Sequence, residues 1–312
     1  MKRGVDGVSK VGIIGVGHVG ATVAHVVVQK GLATELVLID KKVDKAKSEK
    51  LDLQDASSFL STHTSILVGD YKDVADADVI VSALGHIHLL KQGGDRFAEL
   101  KKNEPEVKAV AKELKRVGFS GKLLVVTNPN DVMTELYARE LDLPHRHVIG
   151  SGTVLDSSRM KHYVGDVLGV DSRSVSGYVL GEHGDSQFVA WSSVAIGGRS
   201  IVDFVKEANL DLDDLENQAR QGGFYVHLGK GYTNVAIAES TVHILEALLK
   251  DAKRVLSVSH YHLDKDSYVS TPAIVGKNGI EGVIDLSLNQ REQDLLDLSV
   301  KMIKEKHKQF GS

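Results

Sequence analysis

Along the first half of the chain, apolar runs too short for helices alternate with longer stretches whose apolar positions recur at helical spacing. Residues 10–16 are apolar and rich in β-branched side chains, which predicts a buried strand. Residues 21–30 follow at helical spacing up to a stop at Gly31, and residues 35–40 form another buried-type strand ending in Asp40. The alternation continues with strands at 65–69 and 78–84, an amphipathic helix over 97–117, a strand at 122–127, a helix over 131–141 and a short strand at 147–149. Strands alternating with helices imply a parallel sheet with right-handed crossovers. In such sheets ligands bind past the carboxyl ends of the strands.

Gly150 and Gly152 mark a boundary, after which Thr153 starts a helix. Thr153 and Asp156 have the spacing of a capping box, although Asp replaces the usual Glu or Gln. The remainder mixes strands (175–180, 255–260, 268–275, 282–285) with helices (215–222, 234–249, 288–308), and holds no second nucleotide fingerprint, repeat or low-complexity tract. The expected class is α/β: a Rossmann doubly wound parallel sheet over residues 1–150, then an α+β substrate domain over 151–312.

Composition narrows the function classes. At 312 residues about two domains are expected, and 42% hydrophobic with 26% charged residues is ordinary for a globular protein. A net charge of −4 gives no electrostatic reason to expect nucleic acid. No run is long enough for a membrane span and no signal-peptide apolar region precedes the first strand, so a cytoplasmic protein without a membrane partner is expected. Zero cysteines exclude disulfides, thiolate metal sites and a thiol nucleophile.

The chemistry begins at Gly15, Gly17 and Gly20, a GxGxxG motif in strand–turn–helix context, with His18 and Val19 inside it and Asp40 20 residues beyond Gly20. This setting makes dinucleotide binding the stronger reading over a ligand-free glycine turn. Gly15 permits the tight turn, Gly17 admits the pyrophosphate to the backbone, and Gly20 lets helix and strand pack closely. The helix N-terminus favours the anion. Asp40 would accept hydrogen bonds from the adenosine ribose and repel a 2′-phosphate, selecting NAD over NADP, a preference that Lys41 and Lys42 soften.

Residues just past the strands come next. The glycine-bearing stretch 85–96 reads as a lid that flexes at Gly93 and Gly94, with Arg96 at its far end. A cation at a helix start is slightly unfavourable, which leans toward a functional role for Arg96. Asn128 precedes a proline, and its bland reading is a mere turn former. His183 sits between Gly181 and Gly184 just past a strand, open to close approach by a ligand and suited to proton exchange. Asp156 and Arg159, three apart on one helix face, form either an exposed ion pair or a cleft pair aimed at His183 and a carboxylate ligand. Spacing leaves both open.

Taken in order and spacing, these motifs, with residues 94–100, 127–129, 155–159, 181–184 and 230–233, resemble the L-lactate/malate dehydrogenase family over essentially the whole chain. Within it, residues 94–101 and 174–191 are most similar to bacterial L-2-hydroxyisocaproate dehydrogenases. The resemblance implies NAD as cofactor, a 2-oxo or 2-hydroxy acid as substrate and a homotetramer. It implies that His183 is the proton donor and acceptor, Asp156 its carboxylate partner, Arg159 a bidentate clamp for the substrate carboxylate, and Arg96 the lid cation that polarises the carbonyl. Asn128 would position substrate and nicotinamide, and Thr233 would border the pocket.

The family's main substrate-discriminating position falls on Ile87, where lactate dehydrogenases usually carry Gln and malate dehydrogenases Arg. Ile87 supplies no cation for a second carboxylate. A lid about three residues longer than usual contributes Leu89 and Leu90, so aliphatic 2-oxo acids such as 2-oxoisocaproate are expected ahead of pyruvate. His86, His88 and Lys91 weaken the exclusion of malate. Lys161 and Tyr178 occupy positions where Arg and His are usual in enzymes activated by fructose 1,6-bisphosphate, so no strong activation is expected. Three other readings rank lower: a related NAD-using glycosidase, which needs a metal and commonly a cysteine; a non-enzymatic structural protein; and metal binding by the His86/His88, His145/His147 or His260/His262 pairs, which lack an obvious third ligand.

Overall fold

The computed structural model describes residues 9–85 and 96–311. The lid positions Ile87, His86, His88, Leu89, Leu90 and Lys91 lie outside the described residues, as does the side chain of Arg96.

The first half builds strands β1 (Lys10–Ile14), β2 (Glu35–Ile39), β3 (Ser65–Val68), β4 (Val79–Ser82), β5 (Lys122–Val125) and β6 (Val148–Gly150). Between them run α1 (His18–Lys30), α2 (Val43–Ser57), α3 (Arg96–Arg116) and α4 (Asn130–Glu140). All six strands are parallel in the order β3-β2-β1-β4-β5-β6, a Rossmann doubly wound sheet. The order reverses between β1 and β4, which opens a crevice at their carboxyl ends. Successive strand residues point to opposite faces. Val11, Ile13, Leu36, Leu38, Val79 and Val81 enter one core, while Ile14, Val37, Ile39 and Ile80 enter the other. A sheet buried on both faces therefore reads as unbroken apolar runs.

After α5 (Val154–Leu168) come five two-residue strands, β7 (Val175–Ser176), β8 (Val179–Leu180), β9 (Phe188–Val189), β10 (Ala195–Ile196) and β11 (Arg199–Ser200). Helices α6 (Ile201–Glu207), α7 (Leu212–Lys230) and α8 (Val235–Lys250) follow. Then β12 (Arg254–His262), β13 (Ser267–Gly276) and β14 (Gly279–Val283) form an antiparallel meander, and α9 (Gln290–His307) follows it as the C-terminal α-helix. The meander extends the parallel sheet, because β12 pairs with β6 at Ser259 and Gly150. Its two faces are covered by helices from both halves. Val242, Leu245 and Leu248 of α8 share a core with Val23 and Val27 of α1, and Val300 and Ile303 of α9 share the other core with Met133 and Tyr137 of α4. Among the described residues no helix is long and apolar enough to cross a membrane.

Several elements differ from the sequence expectation. Helix α2 is absent from it, since only Ala46 and Leu53 of its 15 residues are buried and its apolar periodicity is correspondingly faint. The single strand expected over 175–180 is broken by Gly177, whose φ of 123° no L side chain favours. Helix α7 continues through Gly222 and Gly223, although glycines in sequence point to a helix end. Thr153 makes no capping bond; its Oγ1 donates to the Val179 carbonyl at 2.6 Å instead, tying α5 to β8.

At the motif glycines the geometry is unforgiving. Gly15 has φ 90°, and a Cβ at Gly20 would lie 1.9 Å from the Gly15 carbonyl oxygen. Gly20→Ala must therefore push α1 off β1, and urea unfolding should show a stability loss of about 3 kcal/mol, the upper end for overpacking. A loss below about 0.5 kcal/mol would mean that the turn yields easily.

Candidate active site

His183 projects from the loop after β8, and its Nδ1 lies 2.6 Å from Asp156 Oδ2. The other oxygen of Asp156 accepts from Arg159 Nη1 at 2.9 Å. The carboxylate is almost wholly buried, while the imidazole and guanidinium side chains keep 25% and 17% of their surface exposed. The pair is therefore not an exposed one: Asp156 is buried and faces His183 as well as Arg159. With Nδ1 engaged, Nε2 is the ring nitrogen left for a ligand.

The electrostatics follow from this arrangement. Burial opposes the His183 imidazolium, but Asp156 beside the ring and Asp131 behind it outweigh that, so the imidazole is raised above its ordinary 6.5. Burial likewise opposes the Asp156 carboxylate, and His183 and Arg159 overcome it and lower its pKa.

The loop carrying His183 is gripped on two sides. On one side Gly181 makes a bridge to Ser270 of β13, with N–O distances of 3.0 and 3.1 Å, and the His183 N–H donates to Asp131 Oδ2 at 2.7 Å. On the other, α9 supplies Lys306, which pairs with the buried Glu182, and Ser299, whose Oγ donates to the Ser186 carbonyl at 2.8 Å. Gly181 has φ 92° and its missing Cβ is replaced by Ser299 Oγ, 2.4 Å from where that carbon would stand. Sequence reading missed Asp131, Glu182 and Lys306. Asp131 in the first turn of α4 looks like an ordinary dipole partner, and Lys306 is 124 residues from Glu182.

Gly222 and Gly223 were missed as well. A Cβ on either would stand 3.0–3.2 Å from Arg159, so the guanidinium lies against the bare backbone of α7. Thr233 is half-buried in the turn between α7 and α8. Its neighbour Tyr232 stacks on His18 of the glycine motif at 3.8 Å, and Asn234 Nδ2 donates to Thr22 Oγ1 at 2.9 Å, so this turn is latched to α1. Asn128 lies just past β5, joined to Pro129 by a cis peptide, and its carbonyl accepts from the buried Asn103 Nδ2 at 2.7 Å.

The glycine loop fits a dinucleotide. Nothing stands within 4 Å of a Cβ built on Gly17, so the backbone at the start of α1 is open to a pyrophosphate, and no side chain caps that helix. Val19 packs against the α1 core. Asp40 sits past β2 with Oδ2 accepting from Val16 N at 2.9 Å and Oδ1 from Lys42 N at 2.8 Å, which fixes its carboxylate beside the loop. Elsewhere, Lys161 Nζ lies 5.9 Å from the Tyr178 ring centre, and burial lowers its pKa. His260 and His262 both direct Nε2 to Thr271 Oγ1, at 2.9 and 3.0 Å, and burial depresses His260 to about 3. His145 stacks on Tyr261 at 4.0 Å.

Comparison with known proteins agrees with this layout. Residues 9–150 match the lactate/malate dehydrogenase NAD binding domain, and residues 153–311 match the lactate/malate dehydrogenase alpha/beta C-terminal domain. The chain is 37% identical over 305 residues to an L-lactate dehydrogenase of Priestia megaterium, covering 95% of each. A minor L-lactate dehydrogenase from Enterococcus mundtii, solved in a ligands-bound form, superposes with a TM-score of 0.92 at 35% identity, over 97% of this chain and 98% of that one. The lactate dehydrogenase of Cryptosporidium parvum, solved with lactic acid and nicotinamide adenine dinucleotide, superposes with a TM-score of 0.92 at 29% identity, over 97% and 98%. The chain belongs to the lactate/malate dehydrogenase family, NAD-dependent oxidoreductases acting on the CH–OH group of 2-hydroxy acids.

Proposed function

We propose that the protein reduces a 2-oxo monocarboxylic acid to the L-2-hydroxy acid, and the reverse, with His183 moving the proton. The observation that carries this reading is the buried Asp156 shared between His183 and Arg159, which sets a proton donor and a carboxylate clamp side by side. Arg159 turns its planar fork to the substrate carboxylate. NADH, when bound along Gly15, Gly17, His18, Val19, Gly20 and Asp40 and beside Asn128, supplies a hydride to the C2 carbonyl carbon. As the carbonyl oxygen gains charge, His183 gives it the proton on Nε2, and Asp156 stabilises the imidazolium that precedes the transfer. Arg96 would add a positive charge to the same oxygen. Thr233 borders the pocket.

Two substrates fit. The relatives named above are lactate dehydrogenases, which supports pyruvate and L-lactate. Larger aliphatic acids such as 2-oxoisocaproate form the second reading. It is favoured by apolar Ile87 at the substrate-discriminating position. A homotetramer belongs to the same proposal; the exposed Phe224 and Leu228 on α7 support burial against further copies.

His183→Ala should lower kcat at least about 10²-fold, the lower end for general acid–base catalysis. In the wild type, kcat/KM for 2-oxo acid reduction should fall as pH rises through the His183 pKa, which lies above 6.5, because reduction consumes the protonated ring. Near-full activity of His183→Ala at every pH sinks the assignment.

Steady-state kcat/KM with NADH for pyruvate, 2-oxoisocaproate and oxaloacetate ranks the substrates. Pyruvate above 2-oxoisocaproate supports the lactate reading, and the reverse order selects the larger pocket. Oxaloacetate matching the better of the two overturns both, since neither offers a partner for a second carboxylate.

A further inference from the structure

Asp131 is a second buried carboxylate at His183, and the chemistry above does not use it. It is 1% exposed and stands in the first turn of α4, three residues after Asn128. Oδ2 accepts the backbone N–H of His183 at 2.7 Å, and Oδ1 accepts from Ser270 Oγ at 3.2 Å. Neither contact needs a charge. An asparagine could accept from the same N–H with its oxygen and turn its amide toward the serine hydroxyl, without the cost of an ion in the interior. A carboxylate standing where an amide would pack points to use of the charge itself.

We propose that Asp131 is a positioning residue for His183, holding its backbone from behind while its negative charge, added to that of Asp156, keeps the proton on the imidazole. This rests on the reading of His183 as proton donor. The charged groups that act on the ring are Asp156, bonded to it, and Arg159, both from α5, and Asp131 from α4, bonded to the backbone N–H of His183, so two anions oppose one cation. Asp131 in turn faces His183, Glu182 of the same loop, and the hydroxyls of Ser259 on β12 and Ser270 on β13. Glu182 is itself paired with Lys306 of α9. Burial, only partly offset by the hydrogen bonds it receives, pushes the Asp131 carboxyl up to about 6. It is therefore ionised across the neutral range, where its charge favours the imidazolium, and takes up a proton just below. The segment from Asn128 to Asp131 then ties the end of β5 to the proton donor through one short stretch of backbone.

The test is the pH profile of kcat/KM for NADH-dependent reduction of pyruvate by the wild type, Asp131→Asn, Ser270→Ala and His183→Asn. Asp131→Asn preserves the bond to the His183 N–H and removes the charge. Its alkaline limb should move to lower pH by about half a unit to one unit, so that activity at pH 8 drops roughly 3–10-fold more than activity at pH 6. Ser270→Ala removes one hydrogen bond from the carboxylate and should shift the limb the same way by less. It carries the test if Asp131→Asn does not fold. Limbs that coincide with the wild type in the folded variants, whatever the plateau, overturn the proposal and leave Asp131 a structural group. A failure of the underlying reading looks different: His183→Asn then keeps both the activity and the limb.

Discussion

Asp156 places one buried carboxylate between an imidazole and a guanidinium, and most of what surrounds it exists to keep that arrangement in place. Two opposite charges 4 Å apart attract by roughly 4 kcal/mol at an effective dielectric of 20. Removing one partner of such a buried set typically costs about 3–5 kcal/mol, because the remaining charge is left without compensation. The three side chains come from α5 and from a loop 27 residues further along, so the pairing requires α5 and β8 to be fixed to each other. Thr153 and Ser157 do this, the first through the Val179 carbonyl and the second by accepting the Val179 N–H at 2.9 Å. The N-terminal turn of α5 gives up a side-chain cap to gain this tie.

The continuous sheet explains how both halves of the chain reach one site. Because β12 pairs with β6, the meander lies in line with the parallel strands, and β13 reaches Gly181 through its bridge at Ser270. The loop bearing His183 thus hangs from the same sheet whose opposite strands β1 and β2 carry the glycine turn and Asp40. On the far side of the crevice, the contact of Tyr232 with His18 and of Asn234 with Thr22 fastens the α7–α8 turn to α1. Side chains from residues 15–40, 128–131, 156–159 and 181–183 are held by backbone pairing and core packing rather than by loops alone.

The doubly wound half was legible because parallel strands buried on both faces read as unbroken apolar runs, and a glycine motif between strand and helix serves few purposes besides binding a dinucleotide. Helix α2 was not, since a helix with two buried residues carries almost no periodic signal. The short strands β9 to β11 escaped for a related reason: two residues cannot show a period. Among site residues, those to which the chemistry is assigned by proposal sit in recognisable local settings, His183 between glycines and Asp156 and Arg159 one turn apart. Those supporting them do not. Asp131 and Lys306 act across 52 and 124 residues, and each looks alone like an ordinary helix-terminal charge. Gly222 and Gly223 suggest a helix end because glycine weakens helices, whereas their use is to let Arg159 lie against α7.

The concentration of buried charge around His183 says what this region is built for. Asp131, Asp156 and Glu182 are each about 1% exposed, within a part of the molecule that also buries Leu180 and Phe188. Stability alone favours replacing such groups by apolar or neutral ones of similar size. Their presence makes sense if the imidazole must stay protonated while partly buried, since burial by itself opposes the charge. One carboxylate on the ring meets part of that demand, but it is also drawn to Arg159, whose charge opposes the imidazolium. On the roles proposed for the two residues, Arg159 cannot be moved away without losing the carboxylate clamp beside His183. A second anion placed behind the loop, bonded to the backbone rather than to the guanidinium, offsets that opposition without competing for the site, and the N–H of His183 gives it a fixed anchor there.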